Sequence, residues 1–138
     1  MSDISGLRFL VADDMMVMRK LVSQQLKILG AVAIEQAVDG EDAWVKLKEA
    51  ATQGKPFDFV VSDWNMPKMQ GIDLLKACRA DAHYKAVPFL LVTAEGEMSQ
   101  VKDALIAGVD NYLLKPFTPE TFKDKFMSVY RKRMPKAA

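Results

Sequence analysis

Short apolar runs alternate with amphipathic stretches along the whole chain. The runs cover residues 7–12, 32–37, 57–61, 89–92 and 112–114, and each has the length of a strand. Between and after them, apolar residues recur at helical spacing. The stripes are Met18, Leu21, Val22, Leu26 and Leu29; Ala43, Leu47, Ala50 and Ala51; Leu74, Leu75 and Cys78; Val101, Ala104 and Leu105; and Phe122, Phe126 and Val129. Gly30 and Gly108 follow the first and fourth stripes, and Gly54 and Pro56 separate the second helix from the third strand. Thr118, Pro119 and Glu120 predict a capped start for the fifth helix, with a hydroxyl, a first-position proline and an acid in the positive first turn.

Five strand–helix units in strict alternation predict an α/β fold with a parallel sheet, right-handed crossovers and helices on both faces. The second and fifth runs are the shortest or least uniformly apolar, as edge strands are. In such a sheet every strand-to-helix loop leaves from the carboxyl edge, so residues distant in sequence meet there. The strand ends are Asp13 and Asp14, Asp63, Thr93 and Lys115. Three carboxylates at one edge repel one another unless positive charge lies among them. A hard divalent cation such as Mg²⁺ suits an oxygen-rich set of this kind, with Asp14, Asp63 and a main-chain carbonyl after Asp63 as ligands and water completing the shell. Transfer of a phosphoryl group to the Asp63 carboxylate would then need chiefly positioning and charge neutralisation, to which Lys115 and the Thr93 hydroxyl contribute. The competing role for any one of these residues is capping of a helix or turn. Their joint placement favours chemistry.

At 138 residues, half of them hydrophobic, the chain predicts a single domain over 1–138 with its core at about 7–130. A net charge of +1 gives no reason to invoke nucleic acid or membrane. The charge is unevenly spread: residues 121–138 hold six basic side chains and one acidic one, which makes the last helix and tail basic. Cys78 has no cysteine to pair with and reads as core filler. No stretch has the pattern of a signal peptide or the ~20 apolar residues of a membrane span, so a cytoplasmic location is expected.

The segments LRFLVADDMMVMRKLV, VSDWNMPKMQGIDLL, LVTAEGE and DNYLLKPFTPET carry a resemblance to response-regulator receiver domains, in particular those of chemotaxis, that spans about residues 7–130. The resemblance implies a flavodoxin-like (βα)5 domain with strand order 2-1-3-4-5. It implies that Asp63 is the phosphoacceptor, that Asp14, Asp63 and the Asn65 main-chain carbonyl bind Mg²⁺ with Asp13 helping through water, and that Thr93 and Lys115 contact the phosphoryl group. Thr93 and Tyr112 would form the switch, lying side by side; Asn65 and Glu95 would tune dephosphorylation. A cis bond is implied at Lys115-Pro116. The implied partners are a histidine kinase of the chemotaxis type and, for an output regulator, a flagellar motor switch protein, both docking on a face of this chain that includes Tyr112, Lys123 and Lys125, together with a phosphatase. The chain would act as a monomer that catalyses only its own phosphorylation and dephosphorylation.

Three other readings compete. A metal-dependent phosphatase forming an aspartyl-phosphate would place its nucleophile after the first strand in an Asp-x-Asp pattern, where this chain has Asp13-Asp14. A nucleotide or flavin binder would have a glycine- and hydroxyl-rich loop there. A phosphate sink within the same pathway would share every site residue. Met15 and Met16 are expected either to pack at the start of the first helix or to border the pocket, Trp64 to be partly exposed and His83 to be a solvated surface residue.

Overall fold

The computed structural model describes residues 4–94 and 98–133. The elements run β1 (Arg8–Ala12), α1 (Met16–Ile28), β2 (Ala33–Ala37), α2 (Gly40–Thr52), β3 (Phe59–Asp63), α3 (Gly71–Arg79), β4 (Phe89–Thr93), α4 (Met98–Ala107), β5 (Asn111–Leu114) and α5 (Pro119–Arg133). All strand pairs are parallel and the sheet order is β2-β1-β3-β4-β5. The expected order and alternation are therefore observed. Every residue of β3 and β4 is buried, whereas β2 and β5 keep exposed positions as edge strands do.

The alternation of side chains along each strand divides the interior into two clusters. One packs Leu10, Val60 and Leu91 under Leu47 of α2, Leu74 and Cys78 of α3 and Ala104 of α4. The other packs Phe9, Phe59 and Val92 under Leu26 of α1 and Phe122, Phe126 and Val129 of α5. Phe59 stacks on Phe126 with ring centroids 4.8 Å apart, which joins the sheet centre to the last helix. Burial pushes the Cys78 thiol up to about 12, so it is an inert core group.

Helix starts follow local chemistry. Asp39 caps α2 by accepting from the Asp42 N–H at 2.7 Å. Thr118 caps α5 by accepting from the Thr121 N–H at 3.1 Å, as the sequence predicts. No side chain caps α1, whose first turn also lacks an acid. Among the described residues no helix is long and apolar enough to cross a membrane.

Candidate functional site

The central strands β1 and β3 lie side by side with Ala12 opposite Ser62, which brings the chain after β1 next to Asp63. Asp63 is the last residue of β3 rather than the first residue of a loop, and the Trp64 N–H continues the ladder to the Val92 carbonyl at 3.0 Å. Asp13, Asp14 and Asp63 each offer a carboxylate oxygen within 4.8 Å of the others. Asp13 and Asp63 are buried and Asp14 is exposed.

Lys115 reaches into this cluster from the end of β5. Its Nζ lies 3.0 Å from Asp63 Oδ1 and 3.5 Å from Asp13 Oδ2. The Lys115 N–H donates to the Thr93 carbonyl at 2.8 Å, so the end of β4 sets the height of the lysine, and the Lys115-Pro116 bond is cis. Asp13 is held at several points: its N–H donates to the Ala37 carbonyl, and its Oδ1 accepts from the Met15 N–H at 2.9 Å.

One ammonium among three carboxylates leaves the cluster short of positive charge. Burial pushes the Asp13 and Asp63 carboxyls above the ordinary carboxyl value despite the opposing pull of hydrogen bonds and of Lys115. A hard divalent cation with oxygen ligands fits this donor set and its charge deficit. The raised values also fix a pH dependence. The folded chain keeps these protons to higher pH than the unfolded chain does, so the stability they contribute is present below 3.8 and is lost as pH rises through the folded values. In divalent-free buffer, urea denaturation of Asp63→Asn is expected to gain on the unsubstituted protein as pH rises from 4 toward 7. A gap that shrinks over that range would contradict the assignment.

The other residues singled out in the sequence divide. Thr93 is buried at the end of β4 on the same edge, and Asn65 is exposed in the loop after β3. Glu95 lies outside the described residues. The register pairs Leu91 with Tyr112 and Thr93 with Leu114, so Tyr112 sits one pleat below Thr93 on the same sheet face rather than beside it. The half-buried Tyr112 has Lys125 Nζ 5.2 Å from its ring centroid, and Lys123 is exposed. Met15 and Met16 are exposed next to the acids, which fits the second of their two expected placements, at the pocket border, rather than packing at the helix start. Trp64 is only 6% exposed, contrary to the sequence expectation, because its ring joins the cluster under α2 and α3. His83 is exposed as expected.

Three supports of the site escaped the sequence reading. Arg19 donates to the Asp13 carbonyl at 2.8 Å. Gly71 and Gly40 hold the loop after β3 between two helix starts: an added Cβ would lie 2.1 Å from the Asp63 carbonyl oxygen in one case and 2.0 Å from that of Met69 in the other. A glycine opening an apolar helical stripe was the available signal for Gly71; nothing in the spacing marked Arg19.

A family profile described as the response regulator receiver domain matches residues 9–127. The chain is 44% identical over 127 residues to the chemotaxis protein CheY-3 of Vibrio cholerae, covering 92% of this chain and 94% of that one. Among solved structures, it is similar to the chemotaxis response regulator CheY4 of Vibrio cholerae at 34% identity and a TM-score of 0.78, covering 89% of this chain and 98% of that one. It is also similar to a chain of the CheX–CheY complex with BeF3 and Mg²⁺ from Borrelia burgdorferi, at 31% identity and a TM-score of 0.81, covering 90% and 89%.

Proposed function

The chain belongs to the response regulator receiver domain family, and from that premise we propose that it is a phosphorylatable switch of a chemotaxis two-component pathway in which Asp63 accepts the phosphoryl group. One observation carries the reading: the buried Asp63 carboxylate ends the central strand 3.0 Å from Lys115, inside a cluster of acids. In the transfer, a carboxylate oxygen of Asp63 attacks the phosphorus of a phosphohistidine on the kinase. The new bond is O–P, the P–N bond breaks, and the departing imidazole takes up a proton. Lys115 neutralises the oxygens gathering at Asp63, and the Thr93 hydroxyl serves as a hydrogen-bonding partner of the transferred group.

Asp13, Asp14, Asp63 and the Asn65 main-chain carbonyl are the proposed Mg²⁺ ligands. When bound, the cation supplies charge neutralisation for the phosphoryl oxygens. The relative seen with BeF3, Mg²⁺ and CheX supports both this requirement and a CheX-type phosphatase as a partner.

The output face in this proposal comprises α4, β5 and α5. Leu105, Ile106 and Leu114 are exposed there, alongside Tyr112 and Lys125. A Thr93 hydroxyl drawn toward the phosphoryl group changes the packing above Tyr112, and the ring's position then reports the modification to a flagellar motor switch protein.

Acetyl phosphate with Mg²⁺ is expected to label the protein, and Asp63→Asn to lose the label while remaining folded. Omitting Mg²⁺ should also suppress it. Labelling of Asp63→Asn at the unsubstituted rate would remove Asp63 from the role proposed here.

A further inference from the structure

The geometry points to Arg19 as a positioning residue of the acidic cluster: by holding the Asp13 carbonyl it aims the Asp13–Asp14 peptide, and with it Asp14, toward Asp63. This inference rests on the Mg²⁺-dependent phosphoacceptor reading and assigns that site a support on α1.

The carbonyl oxygen of Asp13 and the amide nitrogen of Asp14 belong to one planar peptide unit, so fixing the first orients the second. Arg19 Nη1 donates to that oxygen at 2.8 Å, while its Nε donates to Gln36 Oε1 at 3.2 Å. The planar guanidinium therefore spans from α1 to the end of β1 and to β2, with its fork set by two acceptors. Gln36 is tied back to the same helix, since its Nε2 donates to Ser23 Oγ at 3.3 Å. Arg19, Gln36 and Ser23 thus form a brace across the sheet edge next to the acids.

The brace matters because the local alternatives are weak. The start of α1 has no side-chain cap and no acid in its first turn. Asp13 is buried and has contacts from Ala37, Met15 and Lys115 that fix it directly. Asp14 is exposed, so packing does not hold its carboxylate, and the preceding peptide sets where its Cα–Cβ bond points.

Groups that orient ligands typically change metal affinity by about 10- to 100-fold when removed. Arg19→Met keeps most of the stem and removes the fork. It is expected to weaken Mg²⁺ binding to the unphosphorylated protein about tenfold by calorimetric titration and to raise the Mg²⁺ midpoint of acetyl phosphate labelling to match, with the rate at saturating Mg²⁺ kept within about twofold. Gln36→Leu leaves Arg19 with one anchor and should shift the Mg²⁺ midpoint the same way by less; it also keeps the test open if Arg19→Met does not fold. Arg19→Lys keeps charge but not the fork and should resemble Arg19→Met. Recovery of the normal midpoint by Arg19→Lys would show that charge alone acts and overturn the positioning role. So would an unchanged midpoint in Arg19→Met, or in Gln36→Leu if that is the variant that folds. If the unsubstituted protein labels with Mg²⁺, such a result sinks the Arg19 inference and leaves the acceptor reading standing; if it does not label at all, both fall.

Discussion

Asp110→Ala is expected to destabilise the fold by about 3–5 kcal/mol, the range for removing one partner of a buried ion pair. The Asp110 side chain is fully buried just ahead of β5, at the sheet edge opposite the acidic cluster. Its Oδ2 accepts from Arg79 Nη2 at 3.1 Å and from the Phe89 N–H at 2.9 Å, while its Oδ1 accepts from Arg133 Nε. Arg79 also donates to the carbonyls of Gly108 at 2.9 Å and Val87 at 2.7 Å. One carboxylate therefore ties the end of α3, the start of β4, the start of β5 and the end of α5. Without it the largely buried Arg79 guanidinium loses its counter-charge and the Phe89 N–H loses its acceptor. Burial already disfavours the charged form of Arg79, with Asp110 the main opposing influence. Asp110→Asn restores one acceptor without charge and should lose roughly half as much as Asp110→Ala, about 1.5–2.5 kcal/mol. Urea denaturation at pH 7 measures both. A loss under about 1 kcal/mol for Asp110→Ala would mean that the Arg79 carbonyl contacts suffice without the carboxylate.

That tie was invisible in the sequence for a physical reason. Arg79, Phe89, Asp110 and Arg133 come from four separated segments, and each charge by itself looks like an ordinary solvated side chain. Periodicity reports which face a residue takes, not which residue of another strand lies opposite. Alternation therefore revealed the elements and the carboxyl-edge site, including Asp13, Asp14, Asp63 and Lys115, because strand ends share an edge whatever the register. It did not reveal that Tyr112 pairs with Leu91, one pleat from Thr93. The apolar run that predicts the third strand ends at Val61 because Ser62 and Asp63 are polar, although both are buried and in the ladder. Trp64 was expected to be partly exposed since it follows a site residue; the loop instead turns Trp64 and Met66 inward and leaves Asn65 outside. Backbone approach distances, such as those at Gly40 and Gly71, depend on how two packed elements meet and have no signature in spacing.

Gly71→Ala joins the two levels, since it should disturb stability and acceptor chemistry through one atom. Gly71 opens α3 and its φ is not in the left-handed region. Alanine at an unstrained helical position would ordinarily stabilise by about 0.4–1 kcal/mol. Here the new Cβ would lie 2.1 Å from the Asp63 carbonyl oxygen, 3.1 Å from its carbonyl carbon and 3.0 Å from Leu91 Cδ2. A backbone oxygen cannot move aside as a flexible side chain does, so α3 or the end of β3 must shift. The Gly71 N–H, which donates to the Trp64 carbonyl at 2.8 Å, shifts with it. The expected net loss is about 1–3 kcal/mol, as for overpacking elsewhere. The displaced atom belongs to Asp63, the proposed acceptor, and a misplacement on the order of 1 Å can slow a positioned reaction by about 100-fold. Gly40→Ala supplies the contrast: its Cβ would lie 2.0 Å from the Met69 carbonyl oxygen, at the far end of the same loop, and should lower stability comparably with a smaller effect on acetyl phosphate labelling. Urea denaturation and the labelling rate at saturating Mg²⁺ separate the two substitutions. If Gly71→Ala stabilises the protein, the contact between α3 and Asp63 is looser than the structure places it; if it destabilises but labels normally, the strain is absorbed by α3 and the acceptor does not depend on this contact.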